Sequence, residues 1–372
     1  LKPSGCLGGS GSRRSLLAPP CLPLALRAES AAALKCSSRG VVLREVRCTR
    51  QSRSDRLGAS AMHDGRDRLR HRTSRFLAFF LANVLLICEG AVRRDYYIQA
   101  EEVLHDYGPT GVDGLTGQPF AGHEHADHLM VNNPSLRQIG SKYWKCRYIE
   151  YTDGTFTQQV PRPPWMGLLG PVLRAEVGDY LGVLLSNKNC SKAITMHPHG
   201  VSYTRHNEGA TYLNGQPAVN GSQVLPGQTF RYVWLADEHS GPGPDEPSSV
   251  VWPYHSHAPS RVDSNSGLVG CIVVARRGEA QKDGTPSDVD AEFVLYLTAF
   301  DENLSYLLDR NIREFLQEGG SPLSDAQVEA LKEDEGLKEG NIMSSINGLK
   351  YANLQGITVP VGKRVRWYVF FL

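Results

Sequence analysis

Two short histidine pairs are the residues of this chain best suited to chemistry: Met196-His197-Pro-His199-Gly200 and Tyr254-His255-Ser-His257. In a strand, residues two apart point to the same face, so each His-x-His aims two imidazoles into one space. If the two strands lie side by side, His197, His199, His255 and His257 present four converging nitrogen ligands. Neutral imidazole suits copper, zinc, iron or nickel. The helical His-Glu-x-x-His pattern of zinc hydrolases is absent. A lone His-x-His is often structural. Two of them, each followed by a glycine-containing loop, favour metal binding over packing.

The remaining histidines read differently. His123-Glu-His125-Ala-Asp-His128 sits in a polar stretch with neither strand nor helix periodicity, and is expected to be a solvated loop rather than a metal-capture site. His206 and His239 stand alone in loops and read as surface residues. A type 1 blue copper needs two His and a Cys, usually with a weak Met. Cys190 to His197 offers Cys, Met196 and His, but His197 belongs to the first pair and no upstream His completes the set. No type 1 site is expected in the first domain.

The elements that must carry the pairs are strands. Asp95 to Val103, Asp179 to Leu185 and Phe230 to Leu235 have strand character, the last alternating large rings with other residues. Gly267 to Val274 is a continuous apolar strand. Pro/Gly/Asn/Asp loops separate them, which argues for an all-β sandwich or barrel. The polar stretch Arg276 to Asp290, with Gly278, Gly284 and Pro286, reads as a linker. Glu292 to Phe300 then starts a second β domain. Residues 303–340 look like an insertion with a helix, because Ser324-Asp-Ala-Gln327 is a capping box ahead of Val328 to Leu331. Strand character returns at Ile357-Thr-Val359 and Arg364 to Phe370. The chain stops at Leu372 within an apolar strand, so the second domain is expected to be cut.

With 372 residues, the chain has room for two or three domains. Its 40 Lys+Arg against 39 Asp+Glu leave no electrostatic footprint for nucleic acid as a main partner. Plentiful Gly (37) and Pro (22) with scarce Met (5) suit a turn-rich β protein. The first residue is Leu1 and the first methionine Met62. A basic run, Arg66 to Arg75, an apolar run, Phe76 to Cys88, and the small residues Gly90 and Ala91 follow it. This is the grammar of a secretory signal, placed at residues 62–90; a membrane anchor or a buried helix is the alternative. Residues 1–61, rich in Arg, Ser, Ala and Gly, are expected to be disordered and absent from the mature protein, whether as upstream sequence or as a transit peptide. Beyond the leader only Cys146, Cys190 and Cys271 remain. An odd number leaves at least one thiol unpaired or paired elsewhere, and which two join stays open. Three sequons, at Asn189, Asn220 and Asn303, fit export.

Residues 197–212, HPHGVSYTRHNEGATY, resemble the first histidine motif of the ceruloplasmin and hephaestin family of multicopper ferroxidases, and residues 254–270, YHSHAPSRVDSNSGLVG, resemble the second. Asp95 to Ile98, Trp165 to Pro171, Ala175 to Asp179, Phe300 to Asn303 and Ile346 to Gly348 match the family's frame in order, from about residue 94 onward. The resemblance implies a cupredoxin-like Greek-key β-sandwich at 91–277, a linker at 278–290 and the N-terminal half of a second cupredoxin domain at 291–372. It implies copper: His197 as a type 2 ligand, and His199, His255 and His257 as type 3 ligands, of a trinuclear cluster. The other half of that cluster would come from a C-terminal cupredoxin domain of the same protein. Dioxygen would be the oxidant, ferrous iron the electron source, and the location secreted or on the extracellular face of the plasma membrane. The chain alone would be inactive.

Some residues depart from the family pattern. Ser248-Ser-Val-Val251 stands where the family has a cysteine before the second histidine pair, which puts the family's usual disulfide to the following strand in doubt and leaves a free Cys271 as one of the open pairings. The loop Asn214 to Gln223 is shorter than the family's and lacks the acidic pair tied to calcium, which puts the family's calcium in doubt. Coagulation factors V and VIII use the same domain type without oxidase activity, which makes a binding module the alternative. That branch has largely lost the paired histidines, which this chain keeps. A laccase-type phenol oxidase is a third reading, set aside because it lacks the Glu208 to Ala210 and Asp301 to Asn303 frame.

Overall fold

The structure, a computed structural model, describes residues 91–212, 219–258 and 260–372. The expectations for residues 1–61 and for the leader at 62–90, with Cys6, Cys21, Cys36, Cys48 and Cys88, lie outside the described residues. So does the first half, residues 214–218, of the loop on which the calcium reading turns.

Eight strands build the first β unit: β1 (Arg93–Asp106), β2 (Lys142–Tyr151), β3 (Val172–Glu176), β4 (Tyr180–Asn187), β5 (His197–Pro198), β6 (Thr229–Leu235), β7 (Ser249–His255) and β8 (Val269–Ala275). They form two four-stranded sheets, ordered β2-β1-β4-β6 and β3-β8-β7-β5. Pairs β1/β4 and β3/β8 are parallel and the others antiparallel. The core between the sheets takes Ile98, Leu173, Leu181, Val183, Tyr232, Trp234, Tyr254, Ile272 and Val274, all buried. Alternating side chains of each strand fill it, as in any sandwich. This mixed, crossing strand order is the cupredoxin-like all-β fold. Among the described residues of 170–275, helix is confined to short stretches such as the six-residue Ser260–Asn265.

A second unit has three strands, β9 (Ala291–Asp301), β10 (Ile342–Ile346) and β11 (Val365–Phe370), in the order β10-β9-β11. It packs on the outer face of β8, where Val269, Cys271 and Val273 meet Trp165, Phe293 and Tyr296 in one cluster. Strand β8 is thus buried on both faces, which explains its uninterrupted apolar sequence. Residues 276–290 form turns, tied down by Ser248 Oγ donating to Asp288 at 2.6 Å.

The described helices, in chain order, are α1 (Asp127–Met130), α2 (Ser260–Asn265), α3 (Leu308–Phe315), α4 (Asp325–Lys332) and α5 (Glu335–Gly340). The capping box at Ser324 and Gln327 does open α4. Two readings need correction. Ile357 to Val359 form no strand, since the left-handed Gly356 (φ +84°) precedes them, Pro360 and a turn at Gly362 (φ +85°) follow, and no strand pairs with them. The stretch at His123 to His128 is not wholly irregular, because it runs into the single turn α1. Among the described residues no helix is long and apolar enough to cross a membrane.

Candidate metal centre

Backbone pairing brings the two histidine pairs together. Strand β5 lies antiparallel to the end of β7, with His197 directly opposite His255. His199 N donates to Pro253 O at 2.9 Å, which extends the pairing past the strand. The turn after His199 depends on Gly200, whose φ of +68° favours glycine and whose absent side chain makes room for Trp252. A Cβ there would lie 1.9 Å from the indole ring. Gly209, with φ +69°, lets the returning loop press against the Met196 carbonyl. That loop then runs beside the second pair, with Ala210 bridged to His257.

His197, His199 and His255 each offer a ring nitrogen, and the three atoms lie within 4.8 Å of one another. His199 Nε2 and His255 Nε2 are 3.0 Å apart. His257 lies just outside that group, its ring centroid 5.1 Å from that of His197 and 5.5 Å from that of His255. Its backbone N donates to Thr195 Oγ1 at 2.8 Å. His123, His125, His128, His206 and His239 take no part.

Two rings are oriented by carbonyls. His197 Nδ1 lies 2.7 Å from Glu208 O, and His255 Nδ1 lies 2.8 Å from Ser256 O. A carbonyl only accepts, so Nδ1 carries the proton in both and Nε2 keeps its lone pair for a metal. Burial pushes the His255 imidazole down to about 4, against its bond to Ser256 and helped by His199 and His197. Burial lowers His197 and His199 too. Desolvation disfavours the cation, so these three rings are biased towards the neutral form, the form that binds metal. Neutral imidazoles, half-buried at His197 and His199 and buried at His255, fit a copper site.

The cysteines take no part in it. Cys146 and Cys190 form a disulfide between β2 and the loop after β4, which removes Cys190 as a thiolate ligand. Cys271 is free and buried, its thiol pushed up to about 12 by burial. Asp263, which sequence reading passed over, is buried beneath the second pair and accepts from Ser256 Oγ at 2.5 Å. Its only signal was a lone acid six residues after His257.

A cupredoxin-like sandwich with neutral histidines gathered where β5 meets β7 defines a copper protein of the cupredoxin class. Residues 166–279 match the multicopper oxidase family model. The chain is 37% identical to Ferroxidase HEPHL1 of Mus musculus over 289 residues, 77% of this chain and 24% of that protein. It is 38% identical to Ceruloplasmin of Rattus norvegicus over 281 residues, 74% of this chain and 26% of that one. It is 35% identical to Hephaestin of Mus musculus over 286 residues, 76% of this chain and 24% of that protein. The chain belongs to the multicopper oxidases, and it is similar to their ceruloplasmin and hephaestin members. It spans about a quarter of the length of these relatives.

Proposed function

We propose that this chain contributes half of the histidines of a trinuclear copper cluster in a secreted ferroxidase, with His197 serving type 2 copper and His199, His255 and His257 serving type 3 copper. The observation that carries this is the convergence of the His197, His199 and His255 nitrogens within 4.8 Å. Bound there, copper would supply one-electron chemistry, passing electrons from ferrous iron to dioxygen to give water. The chain's own part is to hold rings. The carbonyls of Glu208 and Ser256 keep the Nδ1 protons of His197 and His255, and burial keeps the rings neutral.

The complement of ligands would come from a C-terminal cupredoxin domain of the same protein. The mature part would comprise a first cupredoxin domain at 91–277, a linker at 278–290 and a second domain from 291. The names of the matched relatives, two of them known as a ferroxidase or ceruloplasmin, support iron as the electron source and disfavour a binding module of the coagulation-factor kind. A disulfide between Cys146 and Cys190 supports an oxidising, extracellular setting.

Replacing His199 by Ala in the full-length protein should abolish oxygen consumption with ferrous iron while type 1 blue absorption persists, since that colour would come from other domains. Undiminished turnover by the variant would overturn the reading.

A further inference from the structure

The second histidine pair is held from beneath by a buried hydrogen-bond relay. Asp263, in α2, accepts from Ser256 Oγ at 2.5 Å and from Ala258 N at 3.1 Å, both on the same oxygen. Ser256 is the residue between the two histidines and is fully buried. Its hydroxyl also accepts from Thr195 N at 2.9 Å, and Thr195 Oγ1 in turn accepts from His257 N at 2.8 Å. Thr195 lies two residues before His197. One carboxylate therefore anchors a relay that joins the strand of the first pair to that of the second.

We propose that Asp263 is a positioning residue of the copper site. Through Ser256 it sets the spacing of His197 against His255 and His257, and through Ala258 it closes the loop behind His257. This rests on the copper reading above. The alternative role, ordinary core stability, would not need both acceptor bonds to fall on the residues flanking His257. The far end of α2 is also fixed. Asn265 Oδ1 accepts from Asp301 N at 2.9 Å, Asn265 O accepts from Lys145 Nζ at 2.5 Å, and Ser266 Oγ accepts from Tyr306 N at 3.1 Å. The second β unit thus braces the helix on which the anchoring carboxylate sits.

The test is titration of the copper-free full-length protein with Cu(II) against a competing chelator, with the type 2 copper paramagnetic resonance spectrum as a second readout. Asp263→Ala should weaken copper binding by about 10–100-fold, the range for loss of a group that orients metal ligands, and should alter the spectrum. Asp263→Asn keeps an acceptor oxygen for Ser256 and Ala258 and should restore most of the affinity. If Asp263→Ala does not fold, Ser256→Ala, which cuts the same relay with little change of volume, should show the loss. Val274→Ala, a core change far from the relay, should lower thermal stability without moving copper affinity. Wild-type affinity and spectrum in the Asp263→Ala or Ser256→Ala protein would overturn the proposal, as would an equal copper loss in Val274→Ala. A wild-type protein that takes up no Cu(II) would overturn the copper reading itself, and this inference with it.

Discussion

Lys145 and Glu302 form an ion pair with no solvent exposure on either side chain, Nζ to Oε1 at 2.5 Å. Lys145 also donates to Asn265 O and sits 4.7 Å from the centre of the Phe300 ring. Glu302 accepts from Tyr107 through the same oxygen, while Oε2 has no hydrogen-bond partner. Burial pushes the ammonium down and the carboxyl up, each opposed by the other's charge. Removing one partner strands the other, at a typical cost of about 3–5 kcal/mol. The stranded group can escape by neutralising, and ordinary pKa values cap the cost. At pH 7, Lys145 in a Glu302→Gln protein would pay at most about 4.6 kcal/mol to lose its proton, and Glu302 in a Lys145→Met protein at most about 3.7 kcal/mol to gain one. These caps move in opposite directions with pH, by about 1.4 kcal/mol per unit. The intact pair holds the same number of protons folded and unfolded, so it adds no slope of its own near neutrality. Urea unfolding from pH 6 to pH 8 should show the Lys145→Met deficit growing with pH and the Glu302→Gln deficit shrinking. The double variant should recover most of the loss, because no stranded charge remains. Single-variant deficits below 1 kcal/mol, or deficits that run parallel with pH, would refute the reasoning.

Two further outcomes follow from the histidine cluster. In the metal-free protein, His255 is depressed to about 4 from an unfolded value near 6.5, so its contribution is complete above about pH 6.5 and is lost as pH falls towards 4. That loss amounts to about 3 kcal/mol, and His255→Asn should flatten the urea midpoint over this window; an unchanged slope in the variant would refute it. Gly200→Ala should destabilise the protein by at least about 2 kcal/mol and lower its copper content. The added Cβ would meet the Trp252 ring at 1.9 Å, and that indole is pinned by its bond to Ser240 O, so the turn carrying His199 must shift; a variant with wild-type stability and copper would contradict this.

Much of the fold could be read from residue order because the strands obey simple patterns. Phe230 to Leu235 alternates, as a strand with one buried face should, and Gly267 to Val274 is apolar throughout because β8 is buried on both sides. Strand β2 escaped notice because its interior breaks the pattern. Lys145 stands among Tyr143, Cys146 and Tyr148 as a charge at a fully buried position, made tolerable by the opposite charge of Glu302, 157 residues away, and by the Asn265 carbonyl. The false strand at Ile357 to Val359 failed for the opposite reason. Its composition suits a strand, but no strand pairs with it, and composition alone does not supply a partner.

The candidate site divides along the same line. A His-x-His declares its shared face locally, because alternation is a property of one strand. Whether two such faces meet depends on register, and here His197 opposite His255 settles it. The groups that hold the rings were beyond the reach of motif reading. Glu208 contributes a backbone carbonyl, which leaves no mark on residue type, and Asp263 sits on a short polar helix that reads as surface. Asp263 is nonetheless buried, with Ser256 and Thr195 stacked between the histidine strands. Candidate ligands are therefore legible from spacing, whereas their placement is a tertiary property. It extends through Asp263 and α2 to Asn265, and from there to Lys145 and Glu302.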